Sequence, residues 1–148
     1  MNYATPHPAL GIDYGDARIG IAASDPVGIM AHPVETIHLH KDDAFTRIAA
    51  LISQRGIKTL VVGLPCHLDG REGESAQKVR RFVKQLQEQH PQIPIHLIDE
   101  AYTTVTAAAK LHEAGKNAKR QKALIDQAAA VEILSTWMEQ QSEESFES

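Results

Sequence analysis

Apolar positions along this chain change their period partway through. Leu10 to Tyr14 is a short apolar run interrupted by one acid, and it reads as a buried strand. Arg18 to Ser24 alternates, with Ile19, Ile21 and Ala23 set against Gly20, Ala22 and Ser24, as a half-buried strand does. Gly15-Asp16 and Asp25-Pro26-Val27-Gly28 supply turn chemistry, and Ile29 to Ile37 gives a third, weaker strand broken by Pro33. Three strands joined by tight turns imply an antiparallel meander. The spacing then becomes helical. Phe45, Ile48, Ala49 and Ile52 share a face, and Gly56 follows as a stop.

Thr59 to Leu64 is continuously apolar, as expected of a central strand covered on both faces. A Gly-rich loop, Pro65 to Gly73, leads to a second amphipathic helix marked by Ala76, Val79, Phe82, Val83 and Leu86. Ile93 to Ile98 is the last strand. Thr103 or Thr104 is a candidate cap for a helix running to His112 and closed by Gly115. A long final helix is expected from Lys119 to Gln141, with Ile125, Ala129, Ile133 and Trp137 along its inner side. A meander followed by βα units predicts a mixed five-stranded α/β sheet flanked by helices.

The 148 residues suit one domain over 1–148, with 1–7 and 142–148 as loose termini. No apolar run approaches the ~20 residues that span a bilayer. The first eight residues lack the basic region and apolar core of a signal peptide, and one cysteine, Cys66, excludes an intramolecular disulfide. Cytoplasm is the expected address, with no membrane partner.

Three carboxylates change the picture. Asp13 sits inside the first strand, Asp99-Glu100 ends the last one, and Asp126 precedes Gln127-Ala128-Ala129-Ala130 in the final helix. An acid in an apolar strand is costly to desolvate. Converging carboxylates call for a cation, and all-oxygen ligands suit Mg²⁺ or Mn²⁺. Such a site fits phosphodiester hydrolysis. Taken singly, each acid is equally well a strand end or a helix cap. The small residues after Asp126 permit close packing of helix on sheet, which would carry Asp126 towards Asp13.

Net charge is −4 at pH 7, but it is unevenly spread. Lys110, Lys116, Lys119, Arg120 and Lys122 stand against the single acid Glu113, whereas Glu139, Glu143, Glu144 and Glu147 have no basic neighbour. A basic patch beside the third acid suits a phosphate backbone, although charge runs are often plain solvated surface. His38-Leu39-His40 with Asp42-Asp43 is a candidate zinc set, better read as a strand end entering a helix. Cys66 beside His67 has poor geometry for an activated thiol, and His67 near Asp69 is at most a proton carrier. Trp137 belongs to a core or an interface. Tyr102 is the aromatic best placed to stack on a nucleotide.

Gly11-Ile12-Asp13-Tyr14-Gly15, with Arg18-Ile19-Gly20-Ile21-Ala22 and Ser24-Asp25, resembles the opening signature of the YqgF/RuvX family. Val62-Gly63-Leu64-Pro65 with Asp69-Gly70 and Glu72-Gly73 is similar to its middle motif. Asp99-Glu100 with Thr103-Thr104, and Asp126 with Ala129-Ala130, resemble its last two. The match runs in order over roughly 9–138. It implies a ribonuclease H-like fold related to Holliday junction resolvases, and a nuclease that matures the 5′ end of pre-16S rRNA. Carried over, Asp13, Glu100 and Asp126 are the catalytic, metal-binding acids, with Asp99 a candidate fourth. Arg18, Lys116, Lys119, Arg120 and Lys122 are the candidate nucleic-acid-binding residues.

The family's usual Arg after the Glu is Ala101 here, so Arg18 or Lys122 is expected to supply that cation; its frequent middle-loop Asn is His67. The fourth strand carries no acid, so Glu100 must reach in from the end of the fifth. Gly15-Asp16-Ala17-Arg18 lacks a P-loop's Gly-Lys-Ser/Thr ending, and actin-like ATPases need two copies of this core where the chain has room for one. The expected function is therefore a metal-dependent nuclease on structured RNA, with ribosomal precursor particles as partners. The alternatives are a resolvase of branched DNA and a non-catalytic nucleic-acid-binding factor. Monomer and dimer both stay open.

Overall fold

The computed structural model describes residues 5–66, 69–100 and 118–147, with backbone alone at 118–121 and 143–147. Among these residues, β1 (Ala9–Tyr14), β2 (Arg18–Ser24), β3 (Ala31–His38), β4 (Thr59–Leu64) and β5 (Ile95–Asp99) form one sheet in the order β3-β2-β1-β4-β5. The meander is antiparallel, and β4 and β5 add to β1 in parallel. This is the expected mixed sheet.

Alternation along each strand sorts side chains into two cores. Leu10, Ile12, Ile19, Ile21, Leu60 and Val62 face α1 (Ala44–Arg55) and α2 (Glu74–Gln89). Ala9, Ala22, Val61 and Ile98 face α3 (Ala118–Glu147). The central strand β4 is thus buried on both faces, as its unbroken apolar run predicts. Asp43 caps α1 by accepting from the Thr46 amide at 3.0 Å, and Gly56 ends it at φ 62°. The His-Leu-His-Lys-Asp-Asp segment is therefore a strand end entering a helix cap.

Four boundaries differ from the expectation. β3 begins at Ala31 rather than Ile29, because the Asp25 carboxylate accepts from the amides of Val27, Gly28, Ile29 and Met30 and holds them in the turn. β5 runs from Ile95 to Asp99, two residues later at its start than expected. Residue 7 is no loose lead-in: Ser24 Oγ lies 2.7 Å from His7 Nδ1 and accepts from the Ala9 amide at 2.8 Å. The polar tail does not fray at 142 either, since α3 continues to Glu147. Adding residues to an existing helix costs little beside nucleating one. The helix expected over 103–112 lies outside the described residues.

The inner stripe of α3 also shifts. Ala130, Ile133, Leu134 and Trp137 are buried, whereas Ile125 and Ala129 are half-buried. A strict spacing of four drifts about 40° per step around a helix of 3.6 residues per turn, so the stripe mixes threes and fours. Close packing relies on the sheet as much as on the helix. A Cβ at Gly11 would stand 2.8 Å from the Ala130 carbonyl oxygen, and one at Gly20 would collide with the Asp126 carbonyl.

Candidate active site

Asp13 and Glu100 meet at the carboxyl ends of the parallel strands, the usual place for a site in such sheets. Asp13 is the penultimate residue of β1, on the face that carries Ala9 and packs against α3. Glu100 follows the last residue of β5 and shares that face with Ile98. Between β1 and β5 runs β4, whose residue at this level is Gly63. Without a side chain there, the Glu100 carboxyl lies over the Gly63 backbone and hydrogen-bonds to Asp13. The fourth strand's missing acid is replaced by a gap through which the fifth strand's acid reaches.

Burial pushes Asp13 above the ordinary carboxylate range; the hydrogen bond with Glu100 pulls it down, and the Asp126 charge pushes it up again. Glu100 is pushed up to about 9, first by burial and then by the hydrogen bond and charge of Asp13, with a smaller push from Asp99. At neutral pH Glu100 therefore keeps its proton and directs it to the Asp13 carboxyl. One proton is shared where two buried charges would otherwise repel.

Asp126 lies on the same face, close enough to act on Asp13. Its carboxylate accepts from Arg18 Nε at 2.7 Å. Arg18 opens β2 and stands 31% exposed against 19% for Asp126, so the pair is partly sheltered. Among the described residues, Arg18 is the cation paired with this acid. Among the described residues, no three His, Cys, Asp or Glu side chains are gathered tightly enough to hold a metal ion. Asp13 and Glu100 are together, and Asp126 is turned towards Arg18.

Asp99 belongs elsewhere. It faces the opposite side of the sheet and accepts from the Cys66 thiol. Burial first, then the charges of Asp99 and Glu72, push that thiol up, which is the reverse of nucleophile activation. Trp137 is core, 2% exposed, with its ring at 5.5 Å from those of His7 and His96. Lys122 is exposed on α3 one turn before Asp126. Lys119 and Arg120 lie in the first turn of α3, their side chains outside the described set. Lys116, His67, Ala101 and Tyr102 lie outside the described residues.

Sequence reasoning missed Gly63 and Gly20. Both stand inside strands at points where a Cβ would strike the Glu100 carboxyl or the Asp126 carbonyl, and an unexplained Gly inside a strand is the signal of such close approach.

A family model described as RuvX, Holliday junction resolvase, matches residues 7–140. A protein of Mycobacteroides abscessus named "Putative pre-16S rRNA nuclease" is 46% identical over 133 residues, spanning 88% of this chain and 80% of that protein. One of the same name from Cutibacterium acnes is 48% identical over 131 residues, spanning 88% and 81%. The structure of T. thermophilus RuvC in complex with a Holliday junction substrate superposes with a TM-score of 0.56 at 17% identity, covering 90% of this chain and 94% of that one. That likeness is one of fold, and it places the sheet and its helices in the ribonuclease H-like class. With its model matched over most of the length and curated relatives near half identity, the chain belongs to the RuvX family.

Proposed function

We propose that this protein is a metal-dependent nuclease that hydrolyses phosphodiester bonds in structured nucleic acid, with the 5′ end of pre-16S rRNA as substrate and ribosomal precursor particles as its setting. The observation that carries this reading is the Asp13–Glu100 pair over Gly63, which holds one proton between two buried carboxyls beside a third acid. Such a cluster is electrostatically costly until a cation enters it. Its donors are all carboxylate oxygens, which suits Mg²⁺ or Mn²⁺. The names carried by the curated relatives supply the substrate.

Asp13, Glu100 and Asp126 would hold the metal. A divalent ion held there would supply Lewis-acid polarisation of a phosphate and a water of lowered pKa. The chain's own part is positional. Asp13 is fixed by β1, and Glu100 gives up its proton when the charge of the cluster is neutralised. Asp126, now paired with Arg18, would complete the set, and Arg18 would then be available to a phosphate oxygen.

A second reading, cleavage of branched DNA, is favoured by the description of the family model. The two are separated by one assay. Pre-16S-like RNA and a four-way DNA junction are incubated side by side with Mg²⁺ or Mn²⁺. Cleavage of the RNA alone supports the first reading, and symmetric nicking of the junction supports the second. Tight binding without product would replace both by a non-catalytic binding factor.

A further inference from the structure

Beside Arg18 lies a cleft of about 420 Å³, within the ~300–1,000 Å³ usual for small-ligand sites. Its described lining is Ala17, Arg18, His38, His40, Lys41, Lys122 and Ala123. Among the described residues that line it are three cations, of which Arg18 is paired with Asp126, two imidazoles and no carboxylate, in a chain with 19 acids and 15 Lys and Arg. The walls are tied together. The Leu39 amide donates to the Ala17 carbonyl at 3.0 Å, and Thr36 Oγ1 donates to the Ala123 carbonyl at 2.7 Å. Gln127 adds a bond to Thr36 Oγ1 at 3.1 Å. The cleft is therefore preformed between the end of β3 and α3, and the cost of ordering it is already met.

We propose that this cleft seats an unpaired nucleotide of the substrate strand, next to the phosphate that meets the acids; the inference rests on the nuclease reading above. Lys41 and Lys122, both exposed at the rim, face its phosphate. The interior suits a base. Ala17, Ala123, His38 and His40 line it beside the cations, and the two histidine rings have centroids 6.0 Å apart at 72°. Unpaired bases stack on such faces, histidine and guanidinium included. Arg18 joins the cleft to the site, since it lines the one and bonds Asp126 in the other. A free phosphate would use the rim and leave the apolar interior unfilled.

The test needs no cleavage. A 5′-phosphorylated RNA trinucleotide is titrated into the intact protein, and the imidazole proton signals of His38 and His40, assigned with H38Q and H40Q, are followed by NMR. The same trinucleotide with its first base removed, and inorganic phosphate, are the controls. The intact trinucleotide should shift both histidines and bind about tenfold more tightly than the abasic one. Lys41→Ala with Lys122→Ala, both at exposed positions, should weaken both trinucleotides together. Equal affinity for the intact and abasic chains, or shifts reproduced by inorganic phosphate alone, would overturn the inference. Nucleotide seating in a protein that cuts nothing leaves the cleft standing and removes only the nuclease reading. Cleavage without any His38 or His40 response removes only the cleft.

Discussion

The carboxyl of Glu100 occupies the space that a side chain at Gly63 would take. This one relationship lets an acid from β5 cross β4 and reach Asp13 on β1. Gly63→Ala should therefore displace Glu100 and reduce divalent-dependent cleavage by at least about 10–100-fold, the range for a disturbed metal shell. The new methyl also meets the Ile133 side chain, so about 1–3 kcal/mol of stability should be lost to overpacking. Ile133→Val added to Gly63→Ala should restore part of the melting temperature and none of the activity. Recovery of both together would show that Gly63 matters for packing alone.

Asp13→Asn removes the carboxyl group that Glu100 bonds. Cleavage with Mg²⁺ or Mn²⁺ should vanish, while the fold holds or gains. A gain of about 1 kcal/mol would appear as a rise of about 2–4 °C in Tm for a domain of this size. Full activity in this variant would remove the metal-site reading.

The raised Glu100 gives stability a definite pH slope. The unfolded chain releases this proton near the ordinary 4.5, whereas the folded protein keeps it up to about 9. Between those values the native state holds the extra proton, so stability must fall as pH rises through that window, and is fully present below it. Asp13, also raised, adds in the same direction. Thermal unfolding from pH 5 to 9 in the presence of a chelator should show the fall, and Glu100→Gln should flatten it. An unchanged slope in that variant would mean that the proton resides elsewhere.

How much of this the chain discloses in advance depends on the kind of signal. The apolar residues of Ile19–Ala23 and the unbroken run of β4 carry the sheet and its two covered faces, because these strands are buried on both sides along nearly their whole length. The acids stand out because charge in an apolar strand is unusual. Gly63 and Gly20 stay silent because their information lies in what packs over them, which only the tertiary arrangement defines. The start of β3 shifts for a similar reason: the capture of four amides by Asp25 is a turn effect that β propensity does not register. Asp99 and Glu100 are adjacent in sequence and opposite in the fold, so the period of two alone assigns one to Cys66 and the other to Asp13.

Arg18 competes with any cation for Asp126. Removing it by Arg18→Gln should tighten divalent binding and weaken nucleic acid, two effects of opposite sign. The pair is part-exposed, so about 0.2–1 kcal/mol is at stake, up to roughly fivefold in metal half-saturation. Titration of activity with Mn²⁺ at fixed RNA, and of RNA binding at fixed Mn²⁺, separates them. A variant in which both constants worsen would make Arg18 a structural strut for α3.

The basic residues leading into α3 can be tested without knowing the natural substrate. Lys116, Lys119, Arg120 and Lys122 directly precede Asp126, and Lys122 is exposed. If they track a phosphate backbone, binding must weaken as salt rises, because each contact releases a counterion. Four contacts on a single strand predict a log–log slope of about −3, at roughly −0.7 per phosphate. Lys119→Ala with Arg120→Ala should flatten that slope by about one to one and a half units. Asp13 on β1 and Glu100 at the end of β5 share their proton on elements other than α3, so its pH dependence should persist in the double variant. An unchanged salt slope would instead make Lys119 and Arg120 solvated surface, and would leave Arg18, Lys41 and Lys122 around the cleft as the basic groups that meet the nucleic acid.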